Sequence, residues 1–171
     1  MRMIWAAMLV LGACFGPSAA MAFPLCPEVK TAQARVAASA ISAYRRHPRA
    51  DHLDRIERMA ERGNAAAMNY LGVVYNKGKG VPISYVTAAD WWLKGAEAGD
   101  PTAQCNLGIM YMHGQGLKQS DVEAYKWFDI ASARGSGTAR RKLASMETWR
   151  MSRNEVTEAQ RRASEWEAAR H

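Results

Sequence analysis

Residues 103–116, Ala103-Gln104-Cys105-Asn106-Leu107-Gly108-Ile109-Met110-Tyr111-Met112-His113-Gly114-Gln115-Gly116, decide the fold once laid over residues 67–80, Ala67-Met68-Asn69-Tyr70-Leu71-Gly72-Val73-Val74-Tyr75-Asn76-Lys77-Gly78-Lys79-Gly80. Extending the overlay without a gap to 63–98 and 99–134 gives a 36-residue period. It adds Gly63/Gly99, Ser84/Ser120, Val86/Val122, Ala88/Ala124 and Trp91/Trp127 to the Ala67/Ala103, Leu71/Leu107, Gly72/Gly108, Tyr75/Tyr111, Gly78/Gly114 and Gly80/Gly116 identities. A fixed period of this length is the mark of stacked supersecondary units, each too small to bury its apolar face alone.

One unit reads as a helix pair. Ala67, Leu71 and Tyr75 fall at i, i+4 and i+8, one apolar stripe on a first helix. Gly72 sits beside that stripe at a cost of about 1 kcal/mol in helix propensity, which fits a position where another helix must approach closely. Gly78 and Gly80 stop the helix and turn the chain. A second helix opens at Ser84 or Ser120, where Ser120 and Glu123 have the spacing of a capping box. It carries the stripe Ala88, Trp91, Trp92 and Ala96, matched by Ala124, Trp127, Phe128 and Ser132, and ends at Gly99 or Gly135. Asp100-Pro101 supplies an N-cap followed by proline at the first helical position.

The same offset finds partial units on both sides. Residues 50–63 match a second helix and residues 136–149 a lone first helix, with a further helix within 29–47 and a last one opening at Ser152 and Glu155. The expected architecture is all-α: an α-α superhelix of antiparallel helix pairs, with two full 36-residue repeats between half-repeat caps. By domain, 23–48 is an N-terminal tail and capping helix, 49–149 the repeat domain, and 150–171 a C-terminal capping helix. Trp149 and Trp166 are expected to seal the C-terminal cap.

Ahead of this lies an export segment. Met1-Arg2-Met3 precedes the apolar run Ile4 to Phe15, then Pro17 and Ala20-Met21-Ala22, the pattern of a signal peptide over 1–22 cleaved after Ala22. A run this short does not span a bilayer. Leu11-Gly12-Ala13-Cys14 offers the alternative of a lipobox, with Cys14 lipidated and the protein anchored. The expectation is a periplasmic or secreted protein. In the mature chain Cys26 lies in a tail and Cys105 in mid-helix at a small-residue position, so both are expected to be unpaired thiols.

Charge restricts the partners. The net charge is +7, and loss of Arg2 leaves +6. Residues 30–62 hold eight Lys or Arg against four acids, but Asp54, Arg55, Glu57, Arg58, Glu61 and Arg62 alternate at helical spacing, as on a solvated helix face rather than a phosphate-binding groove. Neither nucleic acid nor a membrane span is expected, and a monomer is.

Catalysis requires a positioned nucleophile, base or metal, and the chain contains no H-E-x-x-H, G-x-S-x-G or S-x-x-K motif. His47 and His52 beside Asp51 lack a common ligand spacing and read as surface residues. Cys105 and His113 lie too far apart on one helix, about 12 Å by rise, to form a thiolate-imidazolium pair. No enzyme, cofactor or metal site is expected. The aromatic set Trp91, Trp92, Trp127 and Phe128 reads as packing within repeats.

The stretch Ala103 to Gly108 with Tyr111, Gly114-x-Gly116, Ala124 and Trp127-Phe128, echoed by Leu71-Gly72, Tyr75, Gly78-x-Gly80 and Trp91-Trp92, resembles the Sel-one-like repeat family, a tetratricopeptide-like class. The tail from Met151-Ser152 to Ala159-Gln160-Arg161 resembles the closing helix of many bacterial members. The resemblance implies a right-handed superhelix whose first helices line a concave face, and roles as adaptor, regulatory or envelope interaction proteins. The paired cysteines within each repeat of members associated with β-lactams are absent, so that activity is not carried over. By position, the groove for a protein or peptide partner would present Asn69, Val73, Asn76, Cys105, Ile109 and Met112. None is the lysine of a carboxylate clamp, and a mixed apolar and amide groove for a helix or extended peptide results. The alternative function is a cell-wall-directed protein that binds or hydrolyses peptidoglycan or β-lactams.

Overall fold

The computed structural model describes residues 25–26 and 32–170; the expected signal segment, its cleavage site and the Cys14 lipobox lie outside them. Among the described residues eight helices follow one another: α1 (Ala32–Arg46), α2 (Ala50–Glu61), α3 (Ala65–Lys77), α4 (Tyr85–Glu97), α5 (Pro101–His113), α6 (Asp121–Ala133), α7 (Gly137–Trp149) and α8 (Arg153–Ala168). Among the described residues there is no strand. The two full units are the pairs α3/α4 and α5/α6, the fold expected from the period.

Helix ends follow the local chemistry. Asn64, Asp100 and Ser136 cap the first helices α3, α5 and α7, each side chain accepting the N–H of the third residue on. Gly78 and Gly114 end α3 and α5 in the left-handed conformation, with φ of 63° and 66°. At α6 the expected capping box is only half formed. Ser120 accepts the Glu123 N–H, but the Glu123 carboxylate turns to Lys126 and Arg162, at 3.0 and 2.8 Å. The reciprocal box stands instead at α8, between Ser152 and Glu155.

The repeat glycines mark where helices touch. A Cβ on Gly72 would lie 2.5 Å from the Trp92 indole nitrogen, and one on Gly108 would lie 2.7 Å from the Phe128 ring. Each first helix thus rests its glycine on the second aromatic of the following helix. Trp92 and Phe128 are fully buried and Trp127 nearly so, whereas Trp91 is half-buried with the Lys94 ammonium 4.5 Å from its ring centre. Leu71, Leu107, Ala67 and Ala103 are fully buried, and Tyr75 and Tyr111 partly so.

Helices close both ends, and one expected sealing residue, Trp149, takes no part. α1 docks on the turn of the first unit, where the Tyr44 hydroxyl donates to the Lys79 carbonyl. α8 folds back onto α6, setting Trp166 edge-on to Trp127 at 5.4 Å and pairing Arg134 with Glu167. Trp166 therefore seals the cap, but Trp149 does not: it is 85% exposed. It ends α7 at the position that Lys77 and His113 occupy in α3 and α5, and α8 does not return across it.

Candidate functional site

The 36-residue register places residues on the face of the first helices. One row is Asn69, Cys105 and Arg141, the next Tyr70, Asn106 and Lys142, then Val73, Ile109 and Ser145, and last Lys77, His113 and Trp149. The chemistry changes along each row, while the packing residues Leu71, Leu107 and Leu143 repeat.

Across α3 and α5 this face is not an open groove. Cys26 is joined by a disulfide to Cys105, with their α-carbons 6.0 Å apart and a separation of 79 residues in sequence. The expectation of two free thiols is thus corrected. Cys105 shares the row of Asn69, on the first-helix face rather than in the seam between helices, so the N-terminal segment can reach it. The Cys26 N–H donates to Asn106 Oδ1 at 2.7 Å, Asn106 Nδ2 donates to Asn69 Oδ1 at 3.1 Å, and the Trp92 indole N–H donates to the same Asn69 oxygen at 3.1 Å. A buried amide relay therefore ties the core tryptophan of one repeat to the backbone of the N-terminal segment, each polar group finding a partner inside the protein.

This arrangement relocates the sequence-derived groove residues. Asn69, Asn76, Cys105, Ile109 and Met112 are buried, and Val73 is half-buried. Asn69 and Val73 line a pocket of about 390 Å³ together with Leu25, Cys26, Arg45, Tyr70, Lys77 and Thr102. Ile109 and Met112 pack with Cys26 and Cys105 in one apolar cluster. Five of the six are therefore buried rather than exposed: the chain's own Leu25–Cys26 covers part of the face, while Asn69 and Val73 still line one pocket and Met112 lines another.

The face opens again between α5 and α7. Met112, His113, Lys142, Ser145, Met146, Trp149 and Arg150 line a pocket of about 330 Å³. Arg150 is fixed there by Asp121, 2.7 Å from its Nε, and by the Met112 carbonyl, 2.9 Å from its Nη2. Burial, and then the charges of Lys142 and Arg150, hold the His113 imidazole below its ordinary pKa against the opposing pull of Asp121. Of this lining only Met112 is a sequence-derived groove residue, although the offset that found the other groove positions also leads from Lys77 and His113 to Trp149.

His52 Nδ1 lies 3.0 Å from the His47 carbonyl oxygen and His52 Nε2 lies 3.9 Å from Asp51, a local surface contact. Among the described residues no three His, Cys, Asp or Glu side chains converge as a metal site, and no helix is long and apolar enough to cross a membrane.

Comparison with known proteins agrees with the repeat fold. The Sel1 repeat model matches residues 65–100 and 101–136. A protective antigen present in uropathogenic Escherichia coli strains, displaying an SLR fold, superposes with a TM-score of 0.68 at 26% identity, over 78% of this chain and 29% of that one. A Sel1 repeat protein from Oxalobacter formigenes superposes with a TM-score of 0.63 at 32% identity, over 76% of this chain and 55% of that one. The chain thus spans well under two thirds of the length of either. No curated protein sequence matches it.

Proposed function

From two Sel1 repeats, units that generally mediate protein-protein contact, we propose that the chain is a non-catalytic interaction module of the bacterial cell envelope. Its concave face takes a segment of a partner protein. The observation that carries this reading is the chain's own Leu25–Cys26, whose backbone N–H is received by Asn106 through an amide relay anchored in the core. A face whose amide side chain receives the Cys26 backbone N–H has the chemistry to receive that of another chain. Because that segment covers the α3–α5 part, the partner docks on the α5–α7 part, where Trp149 stands clear of the protein.

A photo-activatable residue at Ser145 should therefore cross-link to a partner in envelope preparations, whereas the same residue at Val86, 60% exposed on α4, should not. Adducts from Val86 alone would place recognition on the opposite face.

Export is supported by the buried disulfide, since such bonds persist in oxidising compartments. Intact mass of the exported protein should place Phe23 first. A diacylated Cys14 would instead anchor the protein to a membrane.

A further inference from the structure

The open α5–α7 pocket combines an exposed aromatic side chain with a cationic wall and almost no acid. Trp149 is 85% exposed, the most exposed large apolar side chain among the described residues. Isolated apolar side chains on a surface need no explanation, but this one borders a concavity with Met112 and Met146 at its floor. Lys142 and Arg150 flank it, and Arg141 is exposed one residue before Lys142. On the acidic side, Asp121 is engaged by Arg150, and Glu147, on α7 itself, accepts the Tyr125 hydroxyl. Residues 140–153 thus carry five Lys or Arg against one acid.

Resting on the reading of this face as a docking site, we propose that it recognises an acidic segment of a partner protein carrying one apolar side chain. The apolar side chain packs on Trp149 over Met112 and Met146. Carboxylates on either side meet Lys142, Arg141 and the outer edge of the Arg150 guanidinium. Rows along the face support this polarity: the N-terminal end is closed by the disulfide-held segment, while cationic and aromatic character increases from α5 to α7. Tryptophan and arginine at the centre of a contact carry most of its affinity, and the flanking charges set which partners are admitted.

The test uses the mature protein and fluorescent dodecapeptides with one central Phe among Asp and Glu, their counterparts with Lys in place of the acids, and vesicles of anionic phospholipid. Anisotropy should show the acidic peptide binding at least about tenfold more tightly than the basic one, more weakly as salt rises. Trp149→Ala and Lys142→Glu should each weaken it at least about tenfold, with thermal unfolding unchanged. Equal binding of acidic and basic peptides, or binding indifferent to both substitutions, would overturn the proposal. Basic peptides lost on Trp149→Ala would remove the acidic preference while leaving the face as the docking site. Tight vesicle binding without peptide binding would replace the protein partner by a lipid surface. If no probe responds to either substitution and the Ser145 cross-link is also absent, the docking reading falls with it.

Discussion

Gly108→Leu should destabilise the protein by about 3 kcal/mol or more, lowering the thermal midpoint by about 10 °C, with Gly72→Leu close behind. The first side-chain carbon alone would lie 2.7 Å from the Phe128 ring and 3.1 Å from the Ala124 carbonyl oxygen, and at Gly72 2.5 Å from the Trp92 ring. Neither ring can retreat, because both are fully buried. The two helices of a unit would have to separate, and the unit's core with them. Circular dichroism melts test this, and adding Phe128→Ala gives a second reading. If the clash is the cause, the double variant should lose less stability than the two single changes summed. Gly99 provides the contrast. A Cβ there meets nothing within 4 Å, and its φ of +86° alone penalises a side chain, so Gly99→Ala should cost only about 1 to 2 kcal/mol.

Removal of the disulfide should have an effect of similar size. A cross-link between residues 79 apart restricts the unfolded chain by about 4 kcal/mol on the chain-entropy argument. Cys26→Ala should therefore lower unfolding free energy by about 2 to 4 kcal/mol in urea titrations, and adding a thiol reductant to the unaltered protein should produce the same loss once the bond is reduced. The Cys26 N–H to Asn106 bond and the Leu25 contact would then hold the N-terminal segment alone. The relay of Asn69, Asn106 and Trp92 would lie closer to solvent. An unchanged midpoint would mean that the segment contributes nothing to the folded state.

Much of this was legible in the sequence, for reasons that differ by residue. The period exposed Leu71/Leu107, Gly72/Gly108 and the glycine turns because packing must recur from unit to unit, and it located the flanking half units at residues 50–63 and 136–149. Capping residues were legible because a side-chain oxygen must lie three residues before the N–H it accepts. What escaped was contact between segments far apart in sequence. Cys105 at a small-residue position reads as a packed thiol until Cys26 is found above it, and Asn69 and Ile109 read as groove residues for the same reason. Trp149 reads as a cap because tryptophan is usually buried, yet it ends a helix whose successor packs elsewhere. Glu123 has capping-box spacing, but Lys126 three residues along α6 and Arg162 on α8 compete for its carboxylate.

The disulfide of Cys26 closes the chain's own first-helix face across α3 and α5, and the α5–α7 end is the part proposed for a partner. The most direct test of that closure is peptide mapping of the exported, unreduced protein by mass spectrometry, with free thiols blocked before digestion. The expected result is a single cross-linked species joining the peptide containing Cys26 to the one containing Cys105, with neither cysteine blocked. Both cysteines recovered as blocked thiols would contradict it, and would return Asn69, Val73 and Ile109 to an open groove.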